Sequence, residues 1–262
     1  MNASEKMNNV IDYIEANLTN VIDYDNIANL LMTNEYTAQK IFNFIFNISI
    51  AEYIRKRRLS EAGIELKNTS QKIIDIALKY GYGSPEAFTR AFNKFHGFNP
   101  NEAKKKVLKI QPILAYNDDL DQVINYEIVN FEGTTVYGYK INCLLSEALE
   151  KAPLLWSEEP VKSWLLTKNY PIFGVLTYLN GEQIEYLIGH QDVDKLDSII
   201  LPQAKYAVFS IPFIPGKGKE QLHKLFKLIG KSWLNHSYDL MLGNIEFEYY
   251  TKKEIKYYII LK

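Results

Sequence analysis

The sequence predicts an all-α first half, two helix-turn-helix units joined by a linker helix, followed by an α+β second half built from two related antiparallel sheet/helix halves. Three observations predict this. Apolar residues recur at i, i+3, i+4, i+7 through the first hundred residues. One helix–turn–helix pattern occurs twice, about 50 residues apart. Beyond residue 122 the apolar period falls to two, with turn residues between the runs.

The stretch Asp75 to Pro100 shows the pattern best. Ile73, Ile76, Ala77 and Tyr80 share one helical face, and Gly81-Tyr82-Gly83 breaks the helix, since glycine supplies the positive φ of a sharp turn. Ser84 and Pro85 open the next helix as N-cap and first residue. Phe88, Ala91, Phe92 and Phe95 form its inner stripe and leave Glu86, Thr89, Arg90 and Asn93 outward.

Earlier in the chain, Val10, Ile11, Ile14 and Leu18 mark an opening helix over 7–18. Asp23 or Asp25 caps a short helix carrying Ile27, Ala28 and Leu31. Asn34 caps a third, with Ala38, Ile41, Phe42 and Ile45 inward and Tyr36, Gln39, Lys40 and Asn43 outward. Ile27-Ala28 answers Ile76-Ala77, Phe42 answers Phe92, and Gln39-Lys40 answers Thr89-Arg90. Between the copies, residues 51–67 read as one continuous rod of roughly 25 Å, which suits two recognition helices about one turn of duplex apart. Arg55, Lys56, Arg57 and Arg58 sit on it and together suit phosphate contact. Asn99-Pro100 opens a closing helix that ends in Lys104-Lys105-Lys106.

Charge supports the division. Residues 1–109 hold 15 Lys+Arg against 12 Asp+Glu, on a chain whose net charge is −1. A locally basic half on a neutral chain fits a module that touches phosphates, tied to one that does not.

The motifs IDYIEANL, AEYIRKRRLSEA, IIDIALKYGYGSPEAFTRAF and the Phe98-Asn99-Pro100 ending make residues 7–108 resemble the DNA-binding domain of the AraC/XylS family of bacterial transcription regulators. The resemblance implies two helix-turn-helix units that read successive major-groove segments. It places Tyr36, Gln39 and Lys40 on the base-reading side of the first unit, with Asn43 on the same face, and Pro85, Glu86, Thr89 and Arg90 on that of the second. Arg90 suits guanine O6/N7, Gln39 adenine N6/N7, and Thr89 a thymine methyl. Three departures weaken the first unit: Met32 stands at the usual turn glycine, Ala38 at a usual leucine, and Phe44 and Phe46 where basic residues are common. The domains expected are thus 1–109 for DNA, a linker over 110–122, and 123–262.

In the last of these, 123–130 and 134–141 alternate around Glu132-Gly133 and predict a hairpin. Residues 152–167 predict one helix. Runs 172–179 and 183–193 flank Asn180-Gly181, a strong hairpin signal. Residues 196–211 are mostly strand, broken at Pro202. A helix over 216–236 and a last hairpin, 245–251 with 255–261, complete the domain. Leu155-Trp156, IEYLIG at 184–189, the strand Ala204 to Phe209, the Trp233-Leu234 helix end and FEYY at 247–250 resemble the GyrI-like small-molecule-binding domain. That resemblance implies a cleft between two pseudo-symmetric halves with a glutamate, Glu248, facing the ligand and Trp156, Tyr186 and Tyr250 as walls. An acid in an aromatic cleft selects cationic or polar-rimmed ligands.

The partners expected are promoter DNA, a small-molecule effector and RNA polymerase. No cofactor, catalytic residue or metal site is expected: His96, His190, His223 and His236 make no HxxxH or HxH pair. Two rival readings of the second half stand beside effector sensing: a hydrolase of reactive small molecules with Glu248 as base, and a partner-binding module with no ligand. A single cysteine, Cys143, a polar MNASEKMNN start and no run of 18 apolar residues point to a soluble cytoplasmic protein without a membrane partner.

Overall fold

The computed structural model describes residues 2–117, 124–144, 147–159, 161–166, 171–179, 183–191, 196–214, 216–235 and 242–261. Linker residues 118–122 and the Asn180-Gly181 turn lie outside them. The first half is helical: α1 (Ala3–Ala16), α2 (Tyr24–Leu30), α3 (Glu35–Phe46), α4 (Ile50–Asn68), α5 (Ile73–Lys79) and α6 (Pro85–His96). The second half carries β1 (Tyr126–Phe131), β2 (Thr134–Leu144), α7 (Ala148–Leu155), α8 (Val161–Leu166), β3 (Ile172–Tyr178), β4 (Gln183–His190), β5 (Asp197–Leu201), β6 (Ala204–Pro212), α9 (Gly218–Asn235), β7 (Leu242–Tyr250) and β8 (Glu254–Leu261). Contacts sort these into two compact units, residues 1–35 with 50–117 and residues 36–49 with 118–262. By its contacts, therefore, α3 belongs with the sheet.

In the first unit, local chemistry sets the helix ends. Asn2 and Glu5 form a reciprocal capping box on α1, and Asp23 accepts from the amides of Asp25 and Asn26 at the start of α2. Ser84 accepts from the Ala87 amide at α6, with Pro85 following, as expected. Gly81 has φ +80° in the turn before α6, and Met32 adopts φ +57° at the matching place after α2. A side chain there costs about 1 kcal/mol relative to glycine. The second helix-turn-helix closes over Leu59, Ala62, Ile76, Ala77, Phe88 and Phe92. The closing helix expected after Asn99 is a single 3-10 turn, Pro100–Glu102. Ala103 is buried but Val107 is 89% exposed, so no apolar stripe exists to hold a longer helix.

The basic run on α4 divides. Arg55 is exposed, and both it and Lys56 pair with Glu52. Arg58 donates to the carbonyls of Leu18 and Asn20. Arg57 is 4% exposed and donates to Glu15 on α1, to Glu61 on its own helix and to the carbonyl of Gln111. Phosphate contact through Arg57 is thus corrected: its guanidinium is a fastener among three segments. Tyr53 adds a 2.7 Å bond to Glu15.

Among the described residues of the second unit, eight antiparallel strands form one sheet in the order β1-β6-β8-β7-β3-β4-β2-β5. Exchanging β1 with β5, β2 with β6, β3 with β7 and β4 with β8 reverses that order into itself, so the two halves are related by a pseudo-twofold between β3 and β7. The β3/β4 and β7/β8 hairpins form as expected. The β1/β2 hairpin does not: β1 pairs with β6, and β2 with β4 and β5. Each half thus lends its first strand to the far edge of the other. The predicted helix over 152–167 is also two, α7 and α8, since the polar, exposed Ser157-Glu158-Glu159 interrupts it with turns. Alternation on β7 sends Phe247 to one face, among Val136, Phe173, Val175, Tyr206 and Val208. It sends Glu246, Glu248 and Tyr250 to the other.

Replacing Arg57 with alanine should cost about 3 kcal/mol of stability, because it strands the Glu15 carboxylate against buried surface. Urea unfolding measures this. A variant of full stability with a smaller salt slope of DNA binding would restore Arg57 to the phosphate-binding set.

Candidate functional site

The helix-covered face of the sheet carries two buried carboxylates two residues apart on β7, Glu246 at 0% and Glu248 at 4% exposure. Burial pushes Glu248 up to about 7, although the hydroxyls of Tyr250 and Tyr186, donating at 2.8 and 3.1 Å, pull the other way. The Trp156 indole donates to the Tyr186 hydroxyl at 3.3 Å and packs edge-on to Tyr250 with ring centroids 4.6 Å apart. The four residues that the second resemblance singled out, Trp156, Tyr186, Glu248 and Tyr250, thus form one hydrogen-bonded cluster. Gly174 on β3, opposite Glu248 in register, leaves room for it: a Cβ there would lie 2.5 Å from the Tyr186 hydroxyl and 2.6 Å from Glu248 Oε2.

Glu246 was not singled out from the sequence, although strand alternation alone places it beside Glu248. It accepts hydrogen bonds from Tyr257 at 2.5 Å and Tyr178 at 3.1 Å. Its other oxygen, Oε1, pairs with Lys40 Nζ on α3. Lys40 is 1% exposed, and burial drives its ammonium well below the usual lysine range. The rings of Tyr178, Tyr36 and Phe44 surround Nζ with centroids at 5.2, 5.3 and 5.8 Å. Tyr36 meets Tyr178 edge-on, and Phe44 stacks on Phe226 of α9 at 4.9 Å.

This corrects the expected exposure of α3. Lys40 and Asn43 are buried, and Tyr36 and Gln39 half-buried. The aromatic residues at 44 and 46, noted as departures from the usual basic pattern, were the sequence signal for this. Phe44 joins Asn43, Ala148, Ala152, Tyr186, Phe226, Glu248 and Tyr257 around a residual cavity of about 40 Å³, little more than one water's share of liquid.

The second helix of the second unit, α6, keeps its expected exposure. Glu86 and Arg90 are exposed, Pro85 and Thr89 half-buried, and Phe88 and Phe92 fully buried beneath them. Asn93 is exposed and donates to Asn99. Among the described residues no helix is long and apolar enough to cross a membrane.

Because Glu248 holds its proton in the folded state up to about pH 7 and loses it near 4.5 when unfolded, its contribution to stability is complete below pH 4.5 and is lost as pH rises through 7. The difference is on the order of 3 kcal/mol. Glu248→Gln should flatten that part of the stability profile, measured by denaturant unfolding from pH 5 to 8. An unchanged slope would refute the assignment.

The chain is similar to known proteins over its helix-turn-helix residues. A family described as a helix-turn-helix domain matches residues 27–106. The HTH-type transcriptional activator AarP of Providencia stuartii is 37% identical over 98 residues, 37% of this chain and 73% of AarP. The transcriptional regulator Rob of Salmonella typhimurium is 30% identical over 130 residues, 48% of this chain and 44% of Rob. A crystal structure of an AraC-type transcriptional regulator from Chromobacterium violaceum is 23% identical, covers 38% of this chain and 88% of that one, and has a TM-score of 0.36.

Proposed function

We propose, from the premise that this chain belongs to the AraC/XylS family of helix-turn-helix transcription regulators, that its C-terminal domain is Rob-like and that a cationic aromatic effector bound there governs its binding to promoter DNA. DNA recognition is assigned to residues 1–109 and effector binding to 123–262. Arg90, Thr89, Glu86 and Pro85 read one major-groove segment from α6; Tyr36, Gln39, Lys40 and Asn43 of α3, buried or half-buried against the sheet, read the next only when that helix leaves it. Arg90 gives a two-pronged contact to guanine.

One observation carries the effector assignment. Two buried carboxyl groups and four tyrosine hydroxyls converge beneath aromatic rings, where an entering cation would favour the ionised form of Glu248 and pair with it. Trp156, Tyr186 and Tyr250 give the guest its apolar contact, and Glu248 its charge. The near-neutral pKa of Glu248 also suits a general base, so turnover of electrophilic compounds, abolished in Glu248→Gln, is the outcome that would favour a hydrolase instead.

Arg90→Ala should weaken binding to duplexes selected from random sequence by roughly 1–3 kcal/mol and relax preference at one base pair. Full affinity with unchanged preference would remove Arg90 from the reading set.

Calorimetry with two ions of one shape and opposite charge tests the effector class. Tetraphenylphosphonium should bind and tetraphenylborate should not. Glu248→Gln should weaken the phosphonium about 10–100-fold. Equal binding of the two ions would overturn the assignment.

A further inference from the structure

The cleft just described already has an occupant. Lys40 brings a cation between the rings of Tyr178, Tyr36 and Phe44 and onto the carboxylate of Glu246. That is the chemistry the cleft would offer a lipophilic cation: an aromatic enclosure around the charge, with an acid at its base. The space left beside the helix is about 40 Å³, whereas a drug-sized guest needs upwards of about 300 Å³. Phe44 and Asn43 of α3 are themselves part of the cavity wall. No such guest enters while α3 stays.

The seat of the helix is shaped for it. Gly230 on α9 faces α3: a Cβ there would lie 3.0 Å from Ile45 Cγ1 and 3.4 Å from Phe44 Cβ. One turn away on α9, Phe226 stacks on Phe44 and meets Tyr257 edge-on. The docked state is also poised. Drying a lysine and a carboxylate costs nearly what their pairing returns, whereas removing one partner is strongly unfavourable. A guest that brings its own cation replaces the pairing for the acid while Lys40 regains its hydration.

We propose that helix α3 is a built-in competitor for the effector cleft, with Lys40 in the place of the effector's cation, so that effector binding and release of α3 are one event. This rests on the reading of the cleft as a cation site. Gln39 and Lys40, the residues that family resemblance assigns to base reading in the first unit, are withheld from DNA while the helix is docked. The effector therefore raises DNA affinity, and DNA raises effector affinity by the same factor. The apparent effector affinity is reduced by the fraction of molecules in which the helix is docked.

A redox lock on the full chain tests this. Phe44→Cys with Gly230→Cys, in a Cys143→Ser background, places two Cβ atoms close to disulfide spacing, about 3.5–4.5 Å. The pair should oxidise readily, and the oxidised protein should bind tetraphenylphosphonium at least on the order of 100-fold more weakly than the same protein after reduction. Gly230→Leu, which crowds the seat without touching the carboxylates, should bind it at least about tenfold more tightly than the unmodified chain. Failure of the cysteines to join, or equal phosphonium affinity in the locked and reduced forms, overturns the competition while leaving the cation site standing. No phosphonium binding in any form, Gly230→Leu included, overturns both.

Discussion

A lysine and a glutamate paired out of reach of water set the terms for the second unit. Lys40 and Glu246 are each almost wholly buried, and neither charge is tolerable there alone. Around them the structure supplies what such a pair needs: hydroxyls of Tyr257 and Tyr178 on the carboxylate and three ring faces near the ammonium. The pseudo-twofold sheet brings β7 beside β3 at its centre, so the carboxylates lie mid-sheet, where helices cover them, rather than at an edge. Glu248, one pleat repeat along, accepts from the hydroxyls of Tyr250 and Tyr186, and burial makes it hold its proton to about pH 7.

The two helix-turn-helix copies share a pattern but not a fate. In the second, Phe88 and Phe92 bury one side of α6 and leave Arg90 and Glu86 exposed. In the first, α3 has apolar residues on one side and Tyr36, Phe44 and Phe46 interspersed on the other, so both sides seek burial. Met32, holding a left-handed conformation where its counterpart is Gly81, is a further local cost in that copy. The copy that departs more from its family's pattern is the one whose helix is bound within the sheet unit.

Much of this was legible in the letters. Helical spacing, Ser84-Pro85, Asn180-Gly181 and the repeat located most elements, and resemblance picked out Trp156, Tyr186, Glu248 and Tyr250, which the fold assembles into one cluster. Three features were hidden for physical reasons. A glycine between two alternating runs reads as a hairpin whether the strands pair with each other or, as β1 and β2 do, with distant partners, since pairing across the chain leaves no local trace. Arg57 looks like its neighbours because charge in sequence says nothing of burial, and only Glu15, Glu61 and Gln111 show it to be structural. The polar side of α3 is chemically apt for a groove of bases or for an acidic aromatic cleft, and no spacing rule separates the two. Glu246, by contrast, was within reach of the pleat rule applied to Glu248.

Hydrogen exchange along residues 36–46, followed by mass spectrometry with and without saturating tetraphenylphosphonium, bears most directly on the central claim. The account predicts that these amides are protected in the free protein and exchange much faster once the cation is bound, while the strands β3 and β7 keep their protection. Saturation with the cation that leaves residues 36–46 as protected as before would contradict it.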